Sequence, residues 1–259
     1  MQAYPFNALR AFQTLLKKEV VRFQKVAFHT IATPVLSSLL YLIVFGAAFD
    51  NKIEFDSSVS YSQFLVPGLV MMAVLQNAFA NSSSSFIQSK ISGTLAFILM
   101  PPIPDTVIAT AYILSSALRG LLVGFFVWIV TALWVSPTVS HIGWIVAFAT
   151  AGAALMGALG LIAAIWADRY EQMGVIQTFI VMPLTFLSGI FYTVEALPST
   201  WQTITRINPF YYLTDGFRGG FIGNFETEPW IALTCVLIAV LVISTVAVAL
   251  LKSGYKIRH

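Results

Sequence analysis

Six long apolar stretches dominate this chain: about 26–49, 61–86, 107–135, 142–166, 173–194 and 230–251. No acidic residue lies well inside any of them. The hydrocarbon core of a bilayer, about 30 Å thick, takes about 20 apolar residues per helix. Backbone groups cannot stay unpaired in lipid, so each stretch must be helical. The sequence therefore predicts an all-α polytopic membrane protein with six transmembrane helices. Pro34 and Pro183 fall within spans. Neighbouring helices and Ser/Thr side chains can satisfy the carbonyls they free. Composition agrees: 58% of residues are hydrophobic and 10% charged, where a soluble domain carries about 25% charge.

The expected organisation is an amphipathic segment 1–25, a six-span domain 26–252 and a short tail 253–259. The connecting segments orient it. The N-terminal stretch, 87–106, 167–172 and the tail hold ten basic residues: Arg10, Lys17, Lys18, Arg22, Lys25, Lys90, Arg169, Lys252, Lys256 and Arg258. The opposite set, 50–60, 136–141 and 195–229, holds Lys52, Arg206 and Arg218. Basic loops stay inside, so both termini are expected in the cytoplasm. Seven of the eleven acids, Asp50, Glu54, Asp56, Glu195, Asp215, Glu226 and Glu228, fall on the outer side. The first span is longer than a signal-peptide core and follows about 25 residues, so cleavage after Gly46-Ala47-Ala48 is not expected.

Other classes fit poorly. The net charge is +3 and no basic run exceeds Lys17-Lys18, so no nucleic-acid partner is expected. Cys235 is the single cysteine, and His29, His141 and His259 are far apart. That excludes an internal disulfide and makes a catalytic metal unexpected.

Local patterns add detail. Phe6, Leu9, Phe12, Leu16, Val20 and Phe23 recur at helical steps among Arg10, Lys17, Lys18 and Arg22. They read as an interfacial helix, or as one packed on another subunit. Arg119 either snorkels where the third span enters lipid or faces a polar cavity. Gly120 and Gly124, and the small face of Ala149, Gly152, Ala153, Gly157 and Gly160, allow close helix packing within or between subunits. Gln76, Asn77 and Asn81 either line a polar vestibule or hydrogen-bond across helices.

Two connections are unusual. In 87–106, Thr94 to Met100 reads as a short apolar helix stopped by Pro101 and Pro102, a docking surface for another protein. The outer segment 195–229 is rich in Trp201, Ile204, Ile207, Phe210, Tyr211, Tyr212, Phe217 and Phe221. It reads as two short helices broken near Asn208-Pro209, dipping into the outer leaflet. Asp215 and Arg218, three apart, can pair on one helix face. Gly219 and Gly220 are expected to allow a second change of direction.

This order of features resembles the membrane subunit of type-2 ATP-binding-cassette exporters, of the bacterial drug, polysaccharide and lipo-oligosaccharide type. The resemblance covers nearly the whole chain. Its most specific residues are Leu187-Ser188-Gly189-Ile190, Leu197-Pro198, Pro209-Phe210-Tyr211-Tyr212 and Arg218, with Gly93-Thr94-Leu95 to Pro104 matching a coupling segment. That segment departs from many relatives in being nearly uncharged. The resemblance implies six spans, an interfacial helix and a re-entrant outer hairpin. It implies coupling through Gly93, Thr94, Leu95, Phe97, Ile98 and Pro104. It further implies an outer gate at Trp201, Pro209, Phe210, Tyr212, Asp215 and Arg218. Spans one, two and five would bound the path, with one and five at a homodimer interface. No G-x-x-x-x-G-K-[ST] loop is present. The chain is therefore expected to bind no cofactor itself and to catalyse nothing alone, with ATP and Mg held by a separate ATPase subunit.

The alternatives are a secondary transporter, which would need an acid, His or broken helix at mid-membrane, and a membrane assembly protein without an ATPase. An intramembrane enzyme would need convergent catalytic groups that the spans lack. An amphipathic drug, a lipid or a lipid-linked glycan all fit the apolar composition.

Overall fold

The computed structural model describes residues 7–50, 59–136 and 138–256. Phe6, Lys52, Glu54, Asp56, Arg258 and His259, used in the arguments above, lie outside the described residues.

The described residues are overwhelmingly helical. Five helices are long and apolar enough to cross a membrane: α2 (Ala27–Phe49), α3 (Tyr61–Ile91), α5 (Asp105–Ala132), α6 (Ile142–Trp166) and α11 (Pro229–Ser253). Before them comes α1 (Ala8–Gln24), started by the Asn7 side chain accepting from the Arg10 N–H at 3.1 Å. Between α3 and α5 lies the short α4 (Leu95–Leu99). Helix α3 opens on a capping box, Ser60 with Gln63, and forms the core of the bundle against α5 and α6.

Close packing comes from the small residues. A Cβ at Gly120 would sit 2.8 Å from the Val74 carbonyl oxygen on α3, and one at Gly157 2.9 Å from Ser116 Cβ on α5. Both glycine patterns therefore serve contacts inside one chain. By contrast α2 and α11 leave long apolar faces uncovered, among them Leu36, Leu40, Val44, Ile238, Leu241 and Val242. Such faces suit lipid or a second membrane chain.

The expected fifth span, 173–194, is built differently. It runs through α7 (Tyr170–Ile176), a π-helical turn (Gln177–Val181) and α8 (Met182–Phe186). The widened turn comes directly before Pro183, which has no N–H to continue the ladder and crowds the turn before it. Seventeen residues, Tyr170 to Phe186, rise only about 25 Å. The chain then leaves helical geometry, with Gly189 at φ +77°, a conformation that suits glycine.

Helix α1 turns much of its expected apolar stripe inward, with Phe12, Leu16 and Val20 half-buried and Phe23 buried. Its buried residues are Leu15, Glu19 and Phe23, and it packs on α5 of its own chain, while Leu9 is exposed. A buried acid, Glu19, joins these apolar residues on the inward face.

Candidate functional site

At the end of the bundle where α3 runs into α4, the expected coupling residues form a compact turn. Gly93 has φ +72° with open space around its Cα, so it ends α3 as only glycine does without strain. Thr94 Oγ1 lies 2.9 Å from Ser92 Oγ and donates to the Ser89 carbonyl at 3.4 Å. Pro104 precedes α5, its carbonyl accepting from the Val107 and Ile108 N–H groups. Leu95, read from sequence as a docking residue, is 4% exposed and seats α4 on the bundle. Ile98 is partly buried against the core. Phe97 and Met100, 70% and 72% exposed, are the large apolar side chains α4 leaves uncovered.

The same end carries an ionic clasp. Lys90 Nζ donates to the Ile165 and Ala167 carbonyls (3.1 and 2.8 Å) and to Asp168 Oδ1 at 3.0 Å. Lys256 Nζ donates to the Trp166 carbonyl at 3.1 Å and to Asp168 Oδ2 at 2.9 Å. Two lysines thus satisfy the last carbonyls of α6, at the negative end of its dipole. Their hydrogen bonds, first Lys256 and then Lys90, hold the Asp168 carboxyl below the usual range, and Asp168 raises Lys256 in turn.

At the opposite end, the segment 195–229 does form two helices broken at Asn208-Pro209: α9 (Ser199–Ile207) and α10 (Pro209–Ile222). Asn208 caps α10 by accepting from the Phe210 N–H at 3.0 Å, and its Nδ2 donates to the Leu184 carbonyl at 2.7 Å. Pro209, at the first helical position, needs no partner for a missing N–H. The two helices differ. Helix α9 exposes Trp201, Ile204 and Ile207, whereas α10 is buried along most of its length, Phe210 included, against α6, α11 and α3. Tyr212 is half-buried and ties back to α9, its hydroxyl donating to the Arg206 carbonyl at 2.9 Å.

Arg218 is buried. Its Nη2 donates to the Gly189 carbonyl at 2.6 Å and to the Ile190 carbonyl at 3.2 Å, and its guanidinium lies 3.7 Å from the centre of the Phe64 ring. The expected Asp215–Arg218 ion pair does not form. Asp215 turns the other way and accepts from the N–H groups of Glu226 (3.1 Å) and Thr227 (2.9 Å), holding the turn before α11. Burial pushes the Glu226 carboxyl up, with the Asp215 charge adding to it. Gly219 and Gly220 lie inside α10 and make no turn. They are small because Phe225 and Ile145 pack onto them. The change of direction comes at Gly223, φ +88°.

The irregular stretch after α8 is thereby paired. Leu184 is served by Asn208, Phe186 by the Tyr192 hydroxyl (3.2 Å), Gly189 and Ile190 by Arg218, and Phe191 by the Tyr61 hydroxyl (3.1 Å). Non-helical backbone shut off from water requires such protein partners. Sequence reading missed Pro67-Gly68 on α3, where the Ile190 backbone comes so close that a Cβ on Gly68 would lie 2.8 Å from its oxygen. A Pro-Gly pair within an apolar span was the available signal.

Of the candidate path residues, Asn77 Nδ2 bonds back to the Ala73 carbonyl at 3.0 Å. Asn81 is fully buried, donating across helices to Ser115 and Ser116 and accepting from Arg22 at 2.9 Å. Gln76 is half-buried and its Nε2 has no partner.

Residues 10–222 match the family model described as ABC-2 type transporter. The chain is 35% identical over 213 residues to the inner membrane transport permease YadH of Escherichia coli K12, covering 82% of this chain and 83% of that one. It is 27% identical over 214 residues to nodulation protein J of Rhizobium meliloti, 80% of each chain. To nodulation protein J of Rhizobium leguminosarum bv. viciae it is 24% identical over 249 residues, 92% and 90% of the two.

Proposed function

The chain belongs to the ABC-2 type transporter family, and from that premise we propose that it is the membrane subunit of an ATP-driven exporter in the bacterial inner membrane. The family supports reading it as a transporter subunit rather than an enzyme, and implies an ABC ATPase partner. The finer reading is that two copies of this chain pair with two ATPase subunits. Both termini face the cytoplasm, and ATP and Mg are held by the ATPase. The cargo is an amphipathic drug, lipid or lipid-linked glycan.

The observation that carries the proposal is α4. Its two large uncovered apolar residues, Phe97 and Met100, project from a short helix that Leu95 anchors to the bundle. An apolar pair exposed to water is unfavourable unless a partner covers it. Closure of the ATPase dimer would push on α4 and, through Gly93, Thr94 and Pro104, on α3 and α5. The spans would then exchange access. The fifth crossing in chain order is then 170–193, part helix and part clasped irregular backbone. At the outer end α9 serves as the moving gate, with Trp201 on it, while buried α10 and its residues Pro209, Phe210, Tyr212, Asp215 and Arg218 form the hinge support.

Affinity purification of the tagged chain in mild detergent tests this. A polypeptide with a G-x-x-x-x-G-K-[ST] loop should co-purify and hydrolyse ATP. A secondary transporter or an assembly protein predicts that none does.

A further inference from the structure

Between Phe64 and Ser89, α3 is buried at every position except Gln76, Ala80, Ser84 and Gln88. These four are spaced by four residues, so they form one stripe. It contains no large apolar side chain, unlike a face built for lipid tails. Three cations gather near it. Arg22 on α1 reaches α3, its Nη2 donating to the Asn81 carbonyl (3.0 Å) and Oδ1 (2.9 Å), and its Nη1 reaching Ser84 Oγ at 3.5 Å. Arg119 on α5 meets the same Asn81 Oδ1 at 3.5 Å. Lys18 lies one turn from Arg22 and contacts Glu19 at 3.2 Å.

Glu19 is the one carboxylate paired in this group, at 3.1 Å from Arg22 Nε. Among the described residues no carboxylate lies within ion-pair distance of Arg119. Three cations against one acid leave a surplus of +2. Arg22 is well served. Arg119 is not: it shares one acceptor, and its Nε has no partner. It stands about 21 Å along α5 from Asp105. It is half-buried and reaches toward Asn81. Burying a guanidinium with so few acceptors is costly. Gln76 Nε2, on the stripe, is a second donor with no partner.

We infer that Arg119 and Arg22, at the head of the α3 stripe, bind the oxyanion headgroup of an amphiphile, a phosphate or carboxylate, whose tails remain in lipid. A guanidinium fork matches such oxygens and binds them more strongly in a low-dielectric setting. The inference rests on the transporter reading and deepens it, because it gives the cargo or a resident lipid an anionic head.

The test uses the purified full-length chain in neutral detergent, with two short-chain fluorescent probes, phosphatidylglycerol and phosphatidylcholine. Wild type should bind the anionic probe at least about tenfold more tightly. Arg119→Gln should reduce that preference to about twofold or less, and Arg22→Gln should weaken it. Arg119→Lys, which keeps the charge, should retain most of it. If Arg119→Gln does not fold, raising salt from about 50 mM to about 500 mM on wild type should weaken the anionic probe alone. Equal affinities in wild type, or an undiminished preference in a folded Arg119→Gln, would overturn the site. Native mass spectrometry of wild type from its own membrane names the source. A species absent from Arg119→Gln with a glycerophospholipid mass assigns the bilayer, and any other anionic mass assigns the cargo. No ATPase is in the assay, so equal affinities in wild type while an ATPase still co-purifies would remove this site and not the transporter reading.

Discussion

The Arg218 guanidinium donates to the Gly189 carbonyl at 2.6 Å, across 29 residues of sequence. One end of this bond lies in the middle of α10, the other in the irregular turn that follows α8. It joins the second helix of the outer hairpin to the irregular turn after α8. With Asn208 on Leu184 and Tyr61 on Phe191, it supplies protein donors to carbonyls that the end of the helix leaves unpaired.

Arg218→Ala should therefore act first on stability. Two buried carbonyls lose a charged donor, at a cost of about 3 kcal/mol. The melting midpoint of the purified chain should fall, and export should fall with it, while co-purification with the ATPase survives in the folded fraction. Arg218→Lys should recover only part, since one ammonium cannot reproduce the planar contact with Phe64. A variant of wild-type stability that exports normally would remove the clasp role.

On α4, Phe97 and Leu95 should behave in opposite ways. Phe97→Asp changes an exposed residue, so stability should move by less than about 0.5 kcal/mol. ATPase capture should weaken by about 2 kcal/mol, roughly thirtyfold, from a carboxylate pressed into an apolar cleft. Leu95→Asp should instead destabilise the chain itself, because Leu95 is buried within it. Thermal melts beside a quantitative pull-down separate the two. Unchanged capture by Phe97→Asp and Met100→Asp would place docking elsewhere.

How far the sequence could be read depended on the range of the cause. Five long helices, the capped start of α10 at Asn208-Pro209 and the short α4 followed from local patterns: apolar run length, proline chemistry and turn residues. The burial of Leu95 and Glu19 and the partners of Arg218 did not. Each depends on which distant backbone or side chain a residue meets. Asp215 and Arg218 are three apart and look like a pair, yet Arg218 serves Gly189 while Asp215 serves the turn at Glu226 and Thr227. Gly219 and Gly220 look like a turn, but they accommodate Phe225 and Ile145. Glycine alone does not tell a bend from a close contact.

The Asp168 clasp gives a pH dependence. Its carboxyl is held below the usual range by Lys256 and Lys90. A folded-state value below the unfolded one stabilises above the unfolded value, about 3.9, and the gain is lost as pH falls through the folded value. Asp168→Asn should therefore melt lower than wild type at neutral pH. The gap should close below the carboxylate range, and it should shrink with added salt. A gap independent of pH would mean that the side chain acts through packing and not charge.

Orientation is checked by labelling in a Cys235→Ser background. Asn224→Cys, in the exposed turn before α11, should react with a membrane-impermeant maleimide added to intact cells, and Ser253→Cys should react only after lysis. The reverse pattern would invert the topology. Both positions are exposed.

The central claim is that this chain works only as half of an ATP-driven assembly. The most direct measurement is the native mass of the tagged chain purified in lipid nanodiscs, with ATP hydrolysis recorded on the same sample. Two 28.4 kDa chains with two nucleotide-binding subunits are expected, and hydrolysis should disappear when Phe97→Asp releases those subunits. A stable, monodisperse chain with no nucleotide-binding subunit, isolated from cells in which it is active, would contradict it.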